Sequence, residues 1–196
     1  MQSIDEIIEY LKSNLSEKRF LHTMGVAETA KDLATRWGVE PSKAYIAGLV
    51  HDCAKEVPFV KTIELLEKSG VALSLIEKST PGILHAPLGA ILAKEIFGID
   101  DEEILCAVKF HTTGRENMSG LEKIIYIADF IEPNRRYSES AEVRELAKTD
   151  IDKAALKETD MVIKFNIAKG KMLHPETIHT RNYLLRVINE GKQNES

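Results

Sequence analysis

The stretch Ala47-Gly48-Leu49-Val50-His51-Asp52-Cys53-Ala54-Lys55 sets the tightest condition on how this chain folds. An imidazole and a carboxylate stand directly behind apolar residues. Burying either one unpaired is expensive, so the fold has to bring partners to both. Asp129, within Ile125-Tyr126-Ile127-Ala128-Asp129-Phe130-Ile131, poses the same problem a second time. A metal ion answers it, because it accepts a neutral imidazole nitrogen and a carboxylate oxygen together.

Both stretches belong to a chain that reads as helix almost throughout. Ser3 with Glu6 forms a capping box, and Ile4, Ile7, Ile8 and Leu11 share one face. Ser16 caps a second helix that runs to Trp37 and stops at Gly38. Pro41 suits the first turn of a third, which places His51 and Asp52 near its middle and ends it before Pro58. Further helices are expected over Val60 to Lys68, Pro87 to Phe97, Asp100 or Asp101 to His111, and Leu121 to Ile131. The last of these opens on a capping box of Ser119 and Glu122 and ends at Pro133. Ser79-Thr80-Pro81-Gly82 reads as a loop. The last third gives helices at about Ser140 to Lys148, Ile151 to Lys169 and Pro175 to Asn189. No alternating run is long enough for a strand. The expectation is an all-α fold in a single domain over residues 1–196, with a core at about 16–132 and a helical extension at about 133–190.

Composition excludes several classes. Of the 196 residues, 43% are hydrophobic and 29% charged, an ordinary globular balance. The net charge of −5 and the lack of a basic stripe disfavour a nucleic-acid polymer as partner. An anionic substrate would need a local cationic site. Cys53 and Cys106 are too few and too far apart for a zinc knuckle or a disulfide framework, and read as reduced thiols. The acidic, amphipathic opening segment lacks a signal-peptide core, and apolar runs such as Ala44 to Val50 are too short for a membrane. A cytoplasmic location is therefore expected. A homodimer suits helical enzymes of this size, although no interface is legible.

Four of the six histidines fall in suggestive places: His22 inside the second helix, His51 beside Asp52, His85 at a loop-to-helix junction, and His111 at a helix end. With Asp52 and Asp129 they form a nitrogen and oxygen donor set without thiolate. Such a set suits Fe, Mn, Co or Mg better than structural zinc. Taken singly each has an ordinary explanation: a lone histidine is usually a hydrogen-bonded core or surface group, Asp52 could cap or pair with Lys55, and Asp129 could cap the following loop. His174 and His179, beside Pro175, read as surface or capping residues.

The order His22, His51-Asp52, Asp129 resembles the HD superfamily of metal-dependent phosphohydrolases. Leu84-His85-Ala86-Pro87, Phe110-His111-Thr112-Thr113-Gly114, Lys18-Arg19-Phe20-Leu21-His22, Ala128 to Arg136 and Thr177 to Asn182 narrow the resemblance to the YqeK family, known as symmetrical bis(5'-nucleosyl)-tetraphosphatases. The resemblance implies an HD-domain helical bundle with a C-terminal helical extension. It also implies a dinuclear centre, with iron favoured and Mn, Zn, Co or Mg compatible. His22, His51, Asp52 and Asp129 would hold one ion, and Asp52 would bridge to another held by His85 and His111. Such a pair activates a water and stabilises both oxygens of an in-line displacement at phosphorus. The implied reaction splits diadenosine tetraphosphate into two ADP. A nucleotidase or triphosphohydrolase acting on mononucleotides, or an idle nucleotide-binding regulatory module, are the alternatives.

For catalysis Asp52 and Lys55 are the candidates, since Lys55 lies three residues after Asp52 on the same expected helix face. Candidates for holding the nucleotide are Lys55, Arg19, Arg135 and Arg136 as cations, Thr112, Thr113 and Gly114 as hydroxyl and backbone donors, and Tyr137, Asn166 or Arg181 near the nucleoside.

Overall fold

The computed structural model describes residues 1–135 and 140–194. Among these there are eleven α-helices and no strand. They are α1 (Ile4–Asn14), α2 (Glu17–Trp37), α3 (Pro41–Val50), α4 (Phe59–Lys68), α5 (Leu75–Lys78), α6 (His85–Phe97), α7 (Glu102–Phe110), α8 (Gly120–Ile131), α9 (Ser140–Ala147), α10 (Ile151–Ala168) and α11 (Pro175–Asn194), with a short 3₁₀ turn at Pro81–Ile83. Arg136 and Tyr137 lie outside the described residues. No described helix is long and apolar enough to cross a membrane.

Local chemistry starts and stops these helices. The capping boxes at Ser3 and Ser119 form as the sequence implies, and Ser16 accepts the Arg19 amide. Gly38 ends α2 in the left-handed conformation, with φ of 67°, which a side chain would oppose. A third capping box, Ser74 with Glu77, opens the four-residue α5, and the turn at Pro81–Ile83 occupies much of the expected loop.

The third helix is shorter than expected. It ends at Val50, and the chain from His51 to Glu56 runs through consecutive turns, with Cys53 N–H donating to Val50 O and Lys55 N–H to Asp52 O. His51 and Asp52 therefore sit at the C-terminal end of α3, not near its middle. An orphaned helix end accommodates polar side chains more cheaply than a helix interior, since the backbone there already turns away from the apolar core.

α2 packs along α3 and α8, and α7 packs on α3, α6 and α8. The main core lies between them, built from Val26, Ala27, Ala30 and Ala34 of α2, Ala44, Ala47 and Leu49 of α3, and Ile124, Ile125 and Ile127 of α8. The alanines and Gly48 bring α2 and α3 close: a Cβ on Gly48 would sit 2.6 Å from the Ala27 Cα. A smaller cluster of Ala54, Leu66, Leu84 and Leu88 holds the turn after Asp52 beneath α4 and α6. The later helices dock on the same frame. Tyr126 on α8 shares a 3.1 Å hydrogen bond with Thr159 on α10, and Trp37 donates to Ala147 O at 2.9 Å. Arg144 of α9 donates to Ile131 O, Glu132 O and Arg135 O, so it fixes the chain as it leaves α8.

Candidate metal centre

The ends of α3, α6 and α7 and the interiors of α2 and α8 converge on one point, where the six expected ligands meet. Asp52, almost wholly buried, stands at its middle. Its Oδ2 lies 3.4 Å from His51 Nε2 and 3.7 Å from His22 Nε2. Its Oδ1 lies 3.0 Å from His85 Nε2 and 3.6 Å from His111 Nε2. Asp129 Oδ1 completes the first side, 3.0 Å from His22 Nε2 and 4.0 Å from His51 Nε2. The ligand atoms of His22, His51 and Asp129 fall within 4.8 Å of one another, as do those of His51, Asp52 and His111. One carboxylate thus presents an oxygen to each of two nests of imidazole.

Backbone and carboxylate acceptors fix which nitrogen of each ring turns inward. His51 Nδ1 donates to Gly48 O and His111 Nδ1 to Val108 O, both at 2.7 Å, and His22 Nδ1 donates to Glu132 Oε1 at 3.1 Å. Each ring then offers a bare Nε2 to the centre, the arrangement metal-binding histidines use. His51 Nε2 and Asp52 Oδ1 are buried without a hydrogen-bond partner. Orphaned lone pairs of this kind are costly unless a cation meets them, so the donor set fits a metal.

The charges agree. Burial would raise the Asp52 carboxyl, but the facing His51, His111 and His85 outweigh it and hold it well below the usual carboxylate range. Burial likewise opposes ionisation of Asp129, and His22, His51 and Arg135 overcome it. His85 is pushed down to about 4, first by burial and then by neighbouring positive groups, against the pull of Asp52. It is a neutral imidazole at physiological pH, the form that binds metal.

The HD domain family matches residues 19–134, which contain all six of these residues. The symmetrical bis(5'-nucleosyl)-tetraphosphatase of Bacillus subtilis is 39% identical, the match covering 92% of this chain and 97% of that one. Its counterpart in Halalkalibacterium halodurans is 42% identical, covering 91% and 95%. The crystal structure of a predicted HD superfamily hydrolase involved in NAD metabolism from Clostridium acetobutylicum superposes with a TM-score of 0.93 at 50% identity, covering 95% of this chain and 98% of that one. The chain belongs to the YqeK family of HD-domain proteins.

Other residues singled out from the sequence take varied places in this YqeK chain. Arg19 Nη1 lies 2.6 Å from Asp52 Oδ2, and Arg135 Nη2 lies 2.7 Å from Asp129 Oδ1. Lys55 Nζ is 3.7 Å from Asp52 Oδ1 and 3.0 Å from His85 Nε2. It reaches the centre from a turn and not, as expected, from a shared helix face. Thr112 lines a hollow together with Lys109, Phe110 and His174. Two expected donors are committed within the protein: Gly114 N–H closes on Phe110 O at 2.8 Å, and the Thr113 hydroxyl donates to Gly114 O. Arg181 pairs with Asp160 across α10 and α11, and Asn166 lies near the C-terminal end of α10.

Sequence reasoning missed Glu132. It is buried, accepts from His22 Nδ1 through Oε1, and accepts the Asn134 amide through Oε2 at 2.7 Å. A cue was present, since it falls three residues after Asp129 at the end of an apolar helix. Replacing it with Gln puts an amide in place of one carboxylate oxygen and weakens the hold on the His22 ring. Metal affinity measured by competition with a chelator is expected to fall by about 10- to 100-fold, with the fold intact. Unchanged affinity would detach Glu132 from the centre.

Proposed function

We propose that this chain hydrolyses diadenosine tetraphosphate and related dinucleoside polyphosphates symmetrically, giving two ADP, at a dinuclear metal centre. The observation that carries this reading is Asp52, whose two oxygens face different nests of imidazole. His22, His51, Asp52 and Asp129 would hold one ion, and Asp52, His85 and His111 the other. Iron is favoured by the family resemblance, and Mn, Zn, Co or Mg suit the same nitrogen and oxygen donors. Bound there, a metal pair supplies Lewis-acid polarisation of phosphoryl oxygens and an activated water for in-line attack.

The chain's own groups do the rest. Arg19 and Arg135 sit on the two carboxylates at the mouth, each about a quarter exposed. A guanidinium fork there exchanges a carboxylate for phosphate oxygens without leaving the site and holds the polyphosphate along the cluster. Lys55 stands on the His85 side. Burial lowers its affinity for a proton while Asp52 and Asp129 support the charged form. In this reading Lys55 offers a cation, and a proton on Nζ, to the departing ADP as it develops negative charge. The hydrogen bonds on His22, His51 and His111 keep each ring oriented throughout. Both cysteines are free thiols, which suits a reducing cytoplasmic setting.

The test is a product assay on anaerobically purified, iron-loaded protein. ADP as sole product from diadenosine tetraphosphate is the expected outcome. ATP with AMP would overturn the point of attack, and no turnover with metal bound would move the reading to a mononucleotide substrate or a regulatory module.

A further inference from the structure

The chain leaves α8 through a turn whose side chains reach the centre. Pro133 denies the helix a donor, and the last carbonyls of α8 lie beyond the reach of its own N–H groups. One side chain from another helix meets them. The Arg144 guanidinium donates through Nε to Ile131 O at 2.7 Å, and through Nη2 to Glu132 O at 3.1 Å and Arg135 O at 2.9 Å. A planar fork across three carbonyls fixes position and orientation together, and its charge suits the negative end of a helix. Arg144 is itself held in place. Val143 and Ala147 beside it on α9 are wholly buried in the main core, and Ala147 O accepts from Trp37.

Between the bonded carbonyls stand two side chains that touch the first nest. Glu132 accepts from His22 Nδ1 at 3.1 Å and from the Asn134 amide at 2.7 Å. Its Oε2 packs closely on α2, since a Cβ on Gly25 would lie only 2.6 Å from it. Arg135 donates through Nε to Asp129 O at 3.0 Å and through Nη2 to Asp129 Oδ1 at 2.7 Å. Its amide closes on Glu132 O at 2.9 Å, the same oxygen that Arg144 holds. A shift of the stretch 131–135 therefore moves the support of the His22 ring and the Arg135 fork at once. The second nest is oriented from elsewhere: His85 opens α6, and His111 Nδ1 donates to Val108 O of α7 at 2.7 Å.

We propose that Arg144 is a positioning residue of the metal centre, setting through backbone carbonyls the hold of His22 on its ion and the aim of Arg135 at phosphate. The inference rests on the reading of the chain as a two-metal phosphohydrolase, and it gives α9, in the helical extension, a part in the reaction.

The experiment compares iron-loaded wild type, Arg144→Gln, Arg144→Lys and Arg36→Gln. Lysine keeps the charge but is a point donor that cannot span three carbonyls. Arg36 is the control, being exposed and donating to Lys148 O at 3.3 Å just past the end of α9. Hydrogen exchange is followed by mass spectrometry, metal is stripped with a graded chelator and counted by elemental analysis, and kcat and KM are measured on diadenosine tetraphosphate. In Arg144→Gln the stretch 131–135 should exchange about tenfold faster while residues 124–128 stay at the wild-type rate. One ion of the two should leave at about tenfold lower chelator, the other as in the wild type. KM should rise about tenfold, more than kcat falls. Arg144→Lys should recover only part of each loss, and Arg36→Gln should match the wild type in all three readouts. Faster exchange along the whole of α8, or two ions loosened equally, would reduce Arg144 to a support of the fold and overturn the proposal. Wild-type metal retention and KM in Arg144→Gln would overturn it as well, and so would full recovery in Arg144→Lys. A wild type that holds two ions yet leaves the dinucleotide intact would sink the assigned reaction, and exchange with metal retention would then decide the place of Arg144.

Discussion

Replacing Asp52 with Asn is expected to cut kcat on diadenosine tetraphosphate by on the order of a thousandfold or more and to strip metal from the protein. The substitution changes shape hardly at all. It converts one oxygen of a carboxylate that faces His51 and His22 on one side, and His85 and His111 on the other, into a donor amide. Whichever nest meets the NH₂ group loses its acceptor, and the formal charge that the surrounding imidazoles stabilise is gone from both. Arg19, now 2.6 Å from the carboxylate, loses its partner as well. Metal content by elemental analysis and turnover should fall together, with far-ultraviolet circular dichroism at the wild-type helical level. Full metal content with normal turnover in the Asn variant would falsify the bridging role. Full metal content with lost turnover would confine Asp52 to the chemistry.

His51, Asp52 and Asp129 were legible because each is ionisable in apolar surroundings, where burial leaves few alternatives to a partner; His22, His85 and His111 joined them through their order along the chain and the family it resembles. Where they stand was less legible. Nothing near Val50 announces that α3 stops there, because no glycine or proline stands between Val50 and Pro58 to mark the end. Lys55 was found by counting helical positions, yet it arrives through a turn whose Lys55 N–H to Asp52 O bond happens to bring the same two side chains together. Glu132 was hidden by Pro133, which makes it read as a helix terminus. The α5 helix carries a complete capping box, but four residues are too few to show a periodic apolar face. Thr113 and Gly114 looked like spare donors because a sequence shows hydrogen-bonding capacity and not how it is spent. His174 read as a capping residue, which it is. That its other nitrogen faces Glu77, nearly a hundred residues away, is a tertiary fact.

Gly48 shows the same limit in the core, and its replacement by Ala is expected to destabilise the protein although alanine is the better helix former. Inside α3 the exchange gains about 1 kcal/mol of helix propensity. Against that, the new Cβ would lie 2.6 Å from Ala27 Cα, 3.0 Å from Ala27 N and 3.3 Å from Val26 C, all backbone atoms of α2 that cannot rotate away. Overpacking of this kind costs about 3 kcal/mol, so the net loss is about 2 kcal/mol, or about 4–8 °C in Tm for a chain of this size. Activity should fall too, because α2 carries His22, α3 leads into His51, and Gly48 O accepts the His51 Nδ1 proton. A shift of about 1 Å between the two helices is enough to cost about a hundredfold in kcat. Gly191 in α11 is the control, since a Cβ there meets nothing within 4 Å. Gly191→Ala should leave Tm unchanged or raise it slightly, so one chemical substitution takes opposite signs at two helical sites. A Gly48→Ala protein melting at or above the wild type would mean that α2 and α3 do not approach as closely as their small residues allow. The placement of His22 against His51 would then need another cause.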